Sequence, residues 1–224
     1  MGLLDFIRRP SASRPDAKRI VDDFHGLYYD ANLSGGTWRD TYWQGIPTYK
    51  CPLDLWIYQE MIFKERPDLI VECGTANGGS ALFLASMCDL AGNGEVVAID
   101  IQSGERPKHA RITYLTGSST SESIVAEVEK RARGKKSVMV ILDSDHSKAH
   151  VLNELRIYSR FVTKGSYLVA EDTNVNGNPV LPGHGPGPNE AVKEFLAENS
   201  GFEADRSKEK FFLTFSPGGF LRKS

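Results

Sequence analysis

Four carboxylates fall in two short runs, Asp143-Ser144-Asp145-His146 and Glu171-Asp172, and each run directly follows an apolar stretch. Acids gathered at one spot repel each other unless they are protonated or share a cation. Oxygen donors with no cysteine beside them suit a hard dication such as Mg2+, Ca2+ or Mn2+. Neighbours such as Glu171 and Asp172 point apart along a strand, but a bend at a strand end can present both. The competing reading makes one or two of these acids helix caps or solvated loop residues. His146 stands beside the cluster and is a candidate general base, because an imidazole titrates near neutrality. Its alternative is a structural hydrogen bond. His150 follows at helical spacing, so with a carboxylate the two histidines imitate an iron site. That reading is disfavoured because His150 falls a full helical turn beyond the strand end. His184, in a Gly/Pro-rich loop, is a candidate to face a substrate.

A second constellation lies earlier, in Glu72-Cys-Gly74-Thr75-Ala-Asn77-Gly-Gly79-Ser80. Glycines let a backbone turn and approach a ligand closely. The spacing is neither the dinucleotide GxGxxG nor a phosphate loop with its lysine. An acid just before the first glycine repels a pyrophosphate and suits a cation. S-adenosylmethionine carries both an ammonium and a sulfonium. Glu72, Gly74, Thr75, Asn77, Gly79 and Ser80 are therefore candidates to bind that cofactor. Asp100, followed by Ile101, closes the next apolar stretch, where a carboxylate can accept from both ribose hydroxyls. Gly117-Ser118-Ser119-Thr120 stands where an adenine edge would lie, or is a plain cap for a helix starting at Ser121. Asp143 is a candidate for the methionine end.

These residues need a scaffold that brings them to one edge. Apolar stretches at Leu69–Cys73, Val96–Ile99, Ile112–Leu115, Val138–Leu142 and Tyr167–Ala170 read as five strands. They alternate with helical patterns, including about 121–133 and 148–161, which predicts βαβ units and a parallel sheet covered on both faces. Ligands of such sheets bind beyond the carboxyl ends of the strands. All five ends here are polar or acidic. Before the sheet, a helix is expected over about 20–28 and another from Pro52 to Glu65. Between them Trp38, Tyr42 and Trp43 mark a lid, a subunit contact or a loop anchored on the core. A Gly/Pro loop covers about 173–188 and a helix starts at Asn189. The end reads as an antiparallel hairpin of Phe202–Asp205 with Phe211–Phe215. A lid segment over 1–66 and a cofactor-binding domain over 67–224 are expected to form one compact unit.

Composition narrows the setting. The 224 residues are 40% hydrophobic and 25% charged, with a formal net charge of −2, so no basic field points to nucleic acid or an anionic membrane. No apolar run reaches the roughly 20 residues that span a bilayer. The opening MGLLDFIRRP is too short in apolar residues for a secretory signal, and Gly2 lacks the serine spacing for myristoylation. Residues 1–18 read as basic, Pro/Ser-rich and mobile. Cys51, Cys73 and Cys88 are unpatterned and fit reduced thiols in a cytoplasmic protein.

Tyr42-Trp43 with Gly45, Lys50-Cys-Pro-Leu-Asp-Leu-Trp56, Glu72–Ser80, Leu142-Asp-Ser-Asp-His-Ser147, Glu171-Asp172 and Gly185-Pro-Gly-Pro-Asn-Glu-Ala-Val192 together resemble the cephalosporin hydroxylase / rhamnosyl O-methyltransferase family. The resemblance runs from about residue 20 to the C-terminus. It implies a Rossmann-like class I methyltransferase fold: α/β, with a seven-stranded mostly parallel sheet, a C-terminal antiparallel hairpin and helices on both faces. It implies S-adenosylmethionine and a Mg2+ held by an acid after the fourth strand plus an adjacent Glu-Asp pair. Here that pair is Glu171-Asp172, and the first ligand is Asp145 or Asp143. Catechol-type O-methyltransferases, which are similar in layout, favour Asp143 and put His146 where their catalytic lysine falls. Asp145 is nevertheless preferred as the ligand, because Asp143 has the methionine end to serve. The expected reaction is methyl transfer to a hydroxyl of a small molecule, a deoxysugar or a phenol, in natural-product or glycan assembly, by a homo-oligomeric enzyme. Rival readings are a nicotinamide oxidoreductase, which Glu72 and the missing GxGxxG oppose, an iron-dependent hydroxylase, and a non-catalytic relative.

Overall fold

The computed structural model describes residues 16–224. The question at Gly2 and most of the basic opening stretch lie outside the described residues. Helix α1 (Ala17–Tyr29) is capped by Asp16, whose side chain accepts from the backbone N–H of Lys18 and Arg19. A short turn of helix, α2 (Ala31–Ser34), leads through a 3-10 turn to the strands β1 (Tyr42–Trp43) and β2 (Ile46–Pro47), which pair antiparallel. Gln44 and Gly45 between them both have positive φ, as a type I′ turn requires. Two-residue strands carry no readable periodicity, so this hairpin was legible only as aromatics in an irregular stretch. Trp43 pins it to the core: the ring meets Phe83 edge-on at 4.9 Å, and the indole N–H donates to Ser86 Oγ at 3.2 Å. Helix α3 (Pro52–Glu65) starts on its proline and ends at Arg66, which takes the left-handed conformation.

The sheet follows. Strands β3 (Leu69–Cys73), β4 (Glu95–Asp100), β5 (Ile112–Thr116), β6 (Val138–Leu142) and β7 (Tyr167–Ala170) are the five expected from sequence, and all run parallel. Helices α4 (Gly79–Ala91), α5 (Glu122–Ala132) and α6 (Lys148–Tyr158) make three of the four connections, a loop joins β4 to β5, and α7 (Pro188–Glu198) leads to β8 (Phe202–Ala204) and β9 (Phe220–Lys223). The spatial order is β5-β4-β3-β6-β7-β9-β8, with β9 antiparallel to both neighbours. Residues alternate between two packed faces. Val71, Val97 and Val140 meet Val128 of α5, Leu155 of α6 and Phe195 of α7, while Ile70, Ala98 and Met139 meet Ile57 of α3 and Leu84 of α4. The chain moves outward from β3 to β4 and β5, then returns to place β6 on the other side of β3. The crevice at the carboxyl ends of β3 and β6 is therefore the topological switch point, where this architecture binds ligands.

The terminal hairpin forms, but not with 211–215. Its second strand is Phe220–Lys223. Residues 211–215 look strand-like because Leu213 and Phe215 are buried, in a third cluster with Tyr29, Cys51 and Val175. Their backbone is not available to a ladder. Phe212 has φ +68°, and the Phe215 N–H donates to the buried Asp54 carboxylate at 2.8 Å. No helix among the described residues is long and apolar enough to cross a membrane, and the three cysteines are buried free thiols.

His25 docks α1 on this third cluster. Its ring stacks on Phe215 at 5.8 Å, and Nε2 lies 3.0 Å from the Asn174 side-chain amide. Burial pushes the imidazole from 6.5 down to about 4. Between those values the unfolded chain binds more protons than the folded one. This contribution is therefore complete above about pH 6.5 and is lost as pH falls through about 4. The stability of wild type should drop more steeply over that window than that of His25→Phe, read from denaturant midpoints at a series of pH values. Equal slopes would remove His25 from the account.

Candidate active site

A cavity of about 600 Å³ opens across the carboxyl ends of the parallel strands. Gly74 makes its floor possible. Its φ is +88°, and a Cβ there would fall 1.9 Å from the Asp143 carbonyl oxygen, so β3 and β6 can diverge this tightly only around a glycine. Gly79 has a different duty. A Cβ on it would meet the Pro47 carbonyl at 2.3 Å, so it lets the β1–β2 hairpin rest on the first turn of α4.

Of the residues singled out for cofactor binding, Gly74, Thr75, Asp100, Ile101, Ser118, Ser119 and Asp143 line the cavity. Asn77 is exposed, whereas Gly79 and Ser80 are buried, and none of these three is among the lining residues. Glu72 is fully buried on the α3/α4 side of β3, also outside the lining, and neither of its oxygens has a hydrogen-bond partner among the described residues. Burial pushes its carboxyl pKa up, against the pull of Lys50. Asp100 is already engaged. It accepts from the Ala76 and Gln102 backbone N–H groups, each at 2.8 Å, and so ties the Gly74–Gly78 loop to the end of β4. A carboxylate has lone pairs left after two such bonds.

The acids at the ends of β6 and β7 are sorted by two cations. Lys50 Nζ lies 2.5 Å from Asp143 Oδ2 and 2.7 Å from Glu171 Oε2, and the Tyr58 hydroxyl donates to Glu171 Oε1 at 2.6 Å. On the cavity side, His146 Nε2 lies 3.3 Å from Asp143 Oδ1, and Nδ1 lies 3.2 Å from Asp172 Oδ2. Glu171 and Asp172 thus point apart, one to α3 and one into the cavity, with Asp172 held at φ +52°. Such a backbone at a non-glycine residue is strained and marks functional sites. Asp145 stands outside the group. It is exposed and accepts from the Ser147 N–H at 2.7 Å, just before α6. The acids brought together with His146 are Asp143 and Asp172, within 4.8 Å of one another. Of the expected ligands Asp145, Glu171 and Asp172, this group contains the third. A local turn holds the first, and Lys50 with Tyr58 holds the second.

Charge follows this geometry. Burial opposes ionisation of Asp143, but Lys50 and His146 outweigh it and hold the carboxyl below its usual range. Glu171, deeper and beside the charge of Asp143, is pushed up to about 8 by burial. Burial lifts Asp172 to about 6. Burial would depress His146, yet its two carboxylate neighbours raise it to about 9. A positive charge between Asp143 and Asp172 is what this pocket is built around. The group offers two hard carboxylate donors, one imidazole nitrogen and no thiolate, and the carboxylate pair fits a dication of the Mg2+ class with other sites left to water or substrate. His150 points elsewhere, to Glu154 and Ser119. The histidine pair of an iron site therefore does not assemble.

Sequence reasoning gave Lys50 and Tyr58 no function. The one signal was electrostatic: a lysine just ahead of a helix N-terminus is misplaced with respect to the helix dipole. Lys50 is only 3% exposed. Removing one partner of a buried charge network typically destabilises by about 3–5 kcal/mol. Lys50→Met should lower the unfolding free energy by about that amount, read by denaturant titration at neutral pH. A change under about 1 kcal/mol, the level of a surface pair, would mean that the acids relax without it.

Comparison with known proteins places the chain. The rhamnosyl O-methyltransferase of Mycobacterium leprae (strain TN) is 37% identical over 211 residues, covering 90% of this chain and 90% of that protein. The rhamnosyl O-methyltransferase of Mycobacterium tuberculosis (strain ATCC 25618 / H37Rv) is 36% identical over 212 residues, covering 90% and 84%. Among solved structures, cmcI-D160 with Mg and SAM superposes with a TM-score of 0.66 at 20% identity, over 97% of this chain and 87% of that one. That likeness is one of fold, the class I methyltransferase arrangement. The family described as rhamnosyl O-methyltransferase/CmcI matches residues 36–224. Together with the mycobacterial relatives, this match makes the chain a member of that family.

Proposed function

We propose that this protein transfers the methyl group of S-adenosylmethionine to a hydroxyl of a small molecule, a deoxysugar of the rhamnosyl type, with a divalent cation held at Asp143 and Asp172. The observation that carries the reading is the bracketing of His146 by those two carboxylates, in the same cavity that Gly74 and Asp100 line. The relatives named above act on rhamnosyl groups by their names, and this chain spans nearly their full length. Glycan or natural-product assembly in the cytoplasm is the setting this reading implies.

When bound, the sulfonium supplies a methyl electrophile, and the dication lowers the pKa of an acceptor hydroxyl as it does that of water. The protein's own part is placement and proton handling. The Gly74–Ala76 backbone and Asp100 orient the nucleoside and amino-acid portions, and positioning provides much of the rate for a reactive methyl. Asp143 and Asp172, the two carboxylates beside His146, would hold the cation. Once their charge is neutralised they no longer support an imidazolium, so His146 becomes the acceptor of the hydroxyl proton. Trp38 and Tyr49 line the same cavity and give a sugar ring apolar faces to lie on. In this reading the stretch of the 1–66 segment that carries Trp38 and Tyr49 is the lid, and the methyltransferase domain begins at 67.

The two candidate first ligands separate cleanly. With S-adenosylmethionine, a rhamnoside acceptor and Mg2+, Asp172→Asn and Asp143→Asn should each lose about a hundredfold or more in kcat. Asp145→Ala should stay within about threefold. Binding of S-adenosylhomocysteine by calorimetry should persist in all three, and a chelator should abolish turnover of the wild type. Full activity in chelator, or a loss confined to Asp145→Ala, refutes the metal assignment.

A further inference from the structure

Glu154 lies on α6, one helical turn after His150, with no exposure to solvent. A carboxylate so placed is retained at considerable cost unless its neighbours satisfy it. Its Oε1 accepts from Ser119 Oγ at 2.5 Å and from Ser144 Oγ at 2.7 Å. His150 Nε2 stands 3.3 Å from both that oxygen and Ser119 Oγ. The Tyr58-like anchor on this side is Tyr158, whose hydroxyl donates to the Ser119 carbonyl at 2.7 Å and fixes the loop after β5. Ser119, Ser144 and His150 all line the cavity, whereas Glu154 does not. Ser119 follows β5, and in the strand order β5 is well removed from β7, which leads into Asp172.

A serine hydroxyl has one proton and two lone pairs. Here both protons are drawn down to the same buried oxygen. With its own proton on Glu154, Ser119 can only accept from His150 Nε2, so one lone pair of Ser119 and those of Ser144 are what the two hydroxyls offer a ligand. We propose that Glu154 is a positioning residue that sets the hydrogen-bond polarity of this wall as accepting, so that the site selects a nucleobase bearing an exocyclic amino group and rejects one bearing a carbonyl there. The inference rests on the reading that the cavity holds the nucleoside of S-adenosylmethionine. An amino N–H directed at the wall finds acceptors. A carbonyl oxygen in the same place loses its water and faces lone pairs, and a site with unmatched polar groups discriminates strongly. Glu154 touches no ligand in this arrangement and acts only through the two serines.

The test compares S-adenosylhomocysteine with S-inosylhomocysteine, which carries a carbonyl in place of the amino group, by calorimetry on the intact protein. Wild type should bind the adenosyl compound more tightly by about tenfold or more. Glu154→Met frees both hydroxyls to rotate and donate, so the ratio should fall to within about threefold while S-inosylhomocysteine still binds. Ser144→Ala, at an exposed position, should also lower the ratio, and it keeps the test alive should Glu154→Met fail to fold. Loss of packing alone would weaken both compounds in step and leave the ratio unmoved. Equal binding of the two by wild type overturns the proposal and leaves the nucleoside reading standing, as does a full ratio in a folded variant. Wild type that binds neither compound overturns that reading, and this proposal with it.

Discussion

The buried ammonium of Lys50 is the constraint around which the acidic end of the cavity is arranged. It lies between Asp143 and Glu171, so it fixes the orientation of one carboxylate and withdraws the other. Asp143 is left with Oδ1 toward His146, and Asp172 approaches from the opposite side. An anionic pocket with no internal cation would have to protonate or splay its acids. With one, two carboxylates remain turned to the cavity in a defined pair. Lys50 also belongs to the segment ahead of α3, so the same ion pairs attach the N-terminal part of the chain to the sheet.

Gly74 is the backbone counterpart of that side-chain lock. The loop after β3 passes so close to the Asp143 carbonyl that no side chain fits between them. The Gly74–Gly78 loop and the acidic cluster are therefore neighbours by steric necessity, not by the chance meeting of two loops. Asp100 extends the framework to β4 through the Ala76 N–H. Three adjacent strand ends, β4, β3 and β6, are thereby held as one surface.

Much of this was legible in the sequence because it is local. Each parallel strand has a polar residue at its end or directly beside it, and the periodicity change from strand to helix gives the βαβ order directly. What escaped was long-range. Lys50 meets Asp143 and Glu171 across separations of 93 and 121 residues, and nothing in the pattern around it names those partners. Glu154 reads as an ordinary helical residue until α6 is laid against the loop after β5. Asp143 and Asp145 are two residues apart, and their different partners come from the turn between β6 and α6: Asp145 accepts from the Ser147 N–H, while Asp143 meets Lys50 and His146. Residues 211–215 misled for a related reason: burial of Leu213 and Phe215 mimics a strand, while the backbone partner is the side chain of Asp54.

Tyr49 carries a positive φ of 54° directly before Lys50 and contributes its ring to the cavity. A tyrosine does not hold that conformation by preference, so the neighbouring ion pairs and the Thr48 N–H bond to the Thr41 carbonyl at 2.9 Å must impose it. The wall of the cavity that Tyr49 forms is thus held by the contacts beneath it. Any reshaping of this wall therefore falls to Trp38, whose backbone is outside the left-handed region, with the 48–51 stretch left intact.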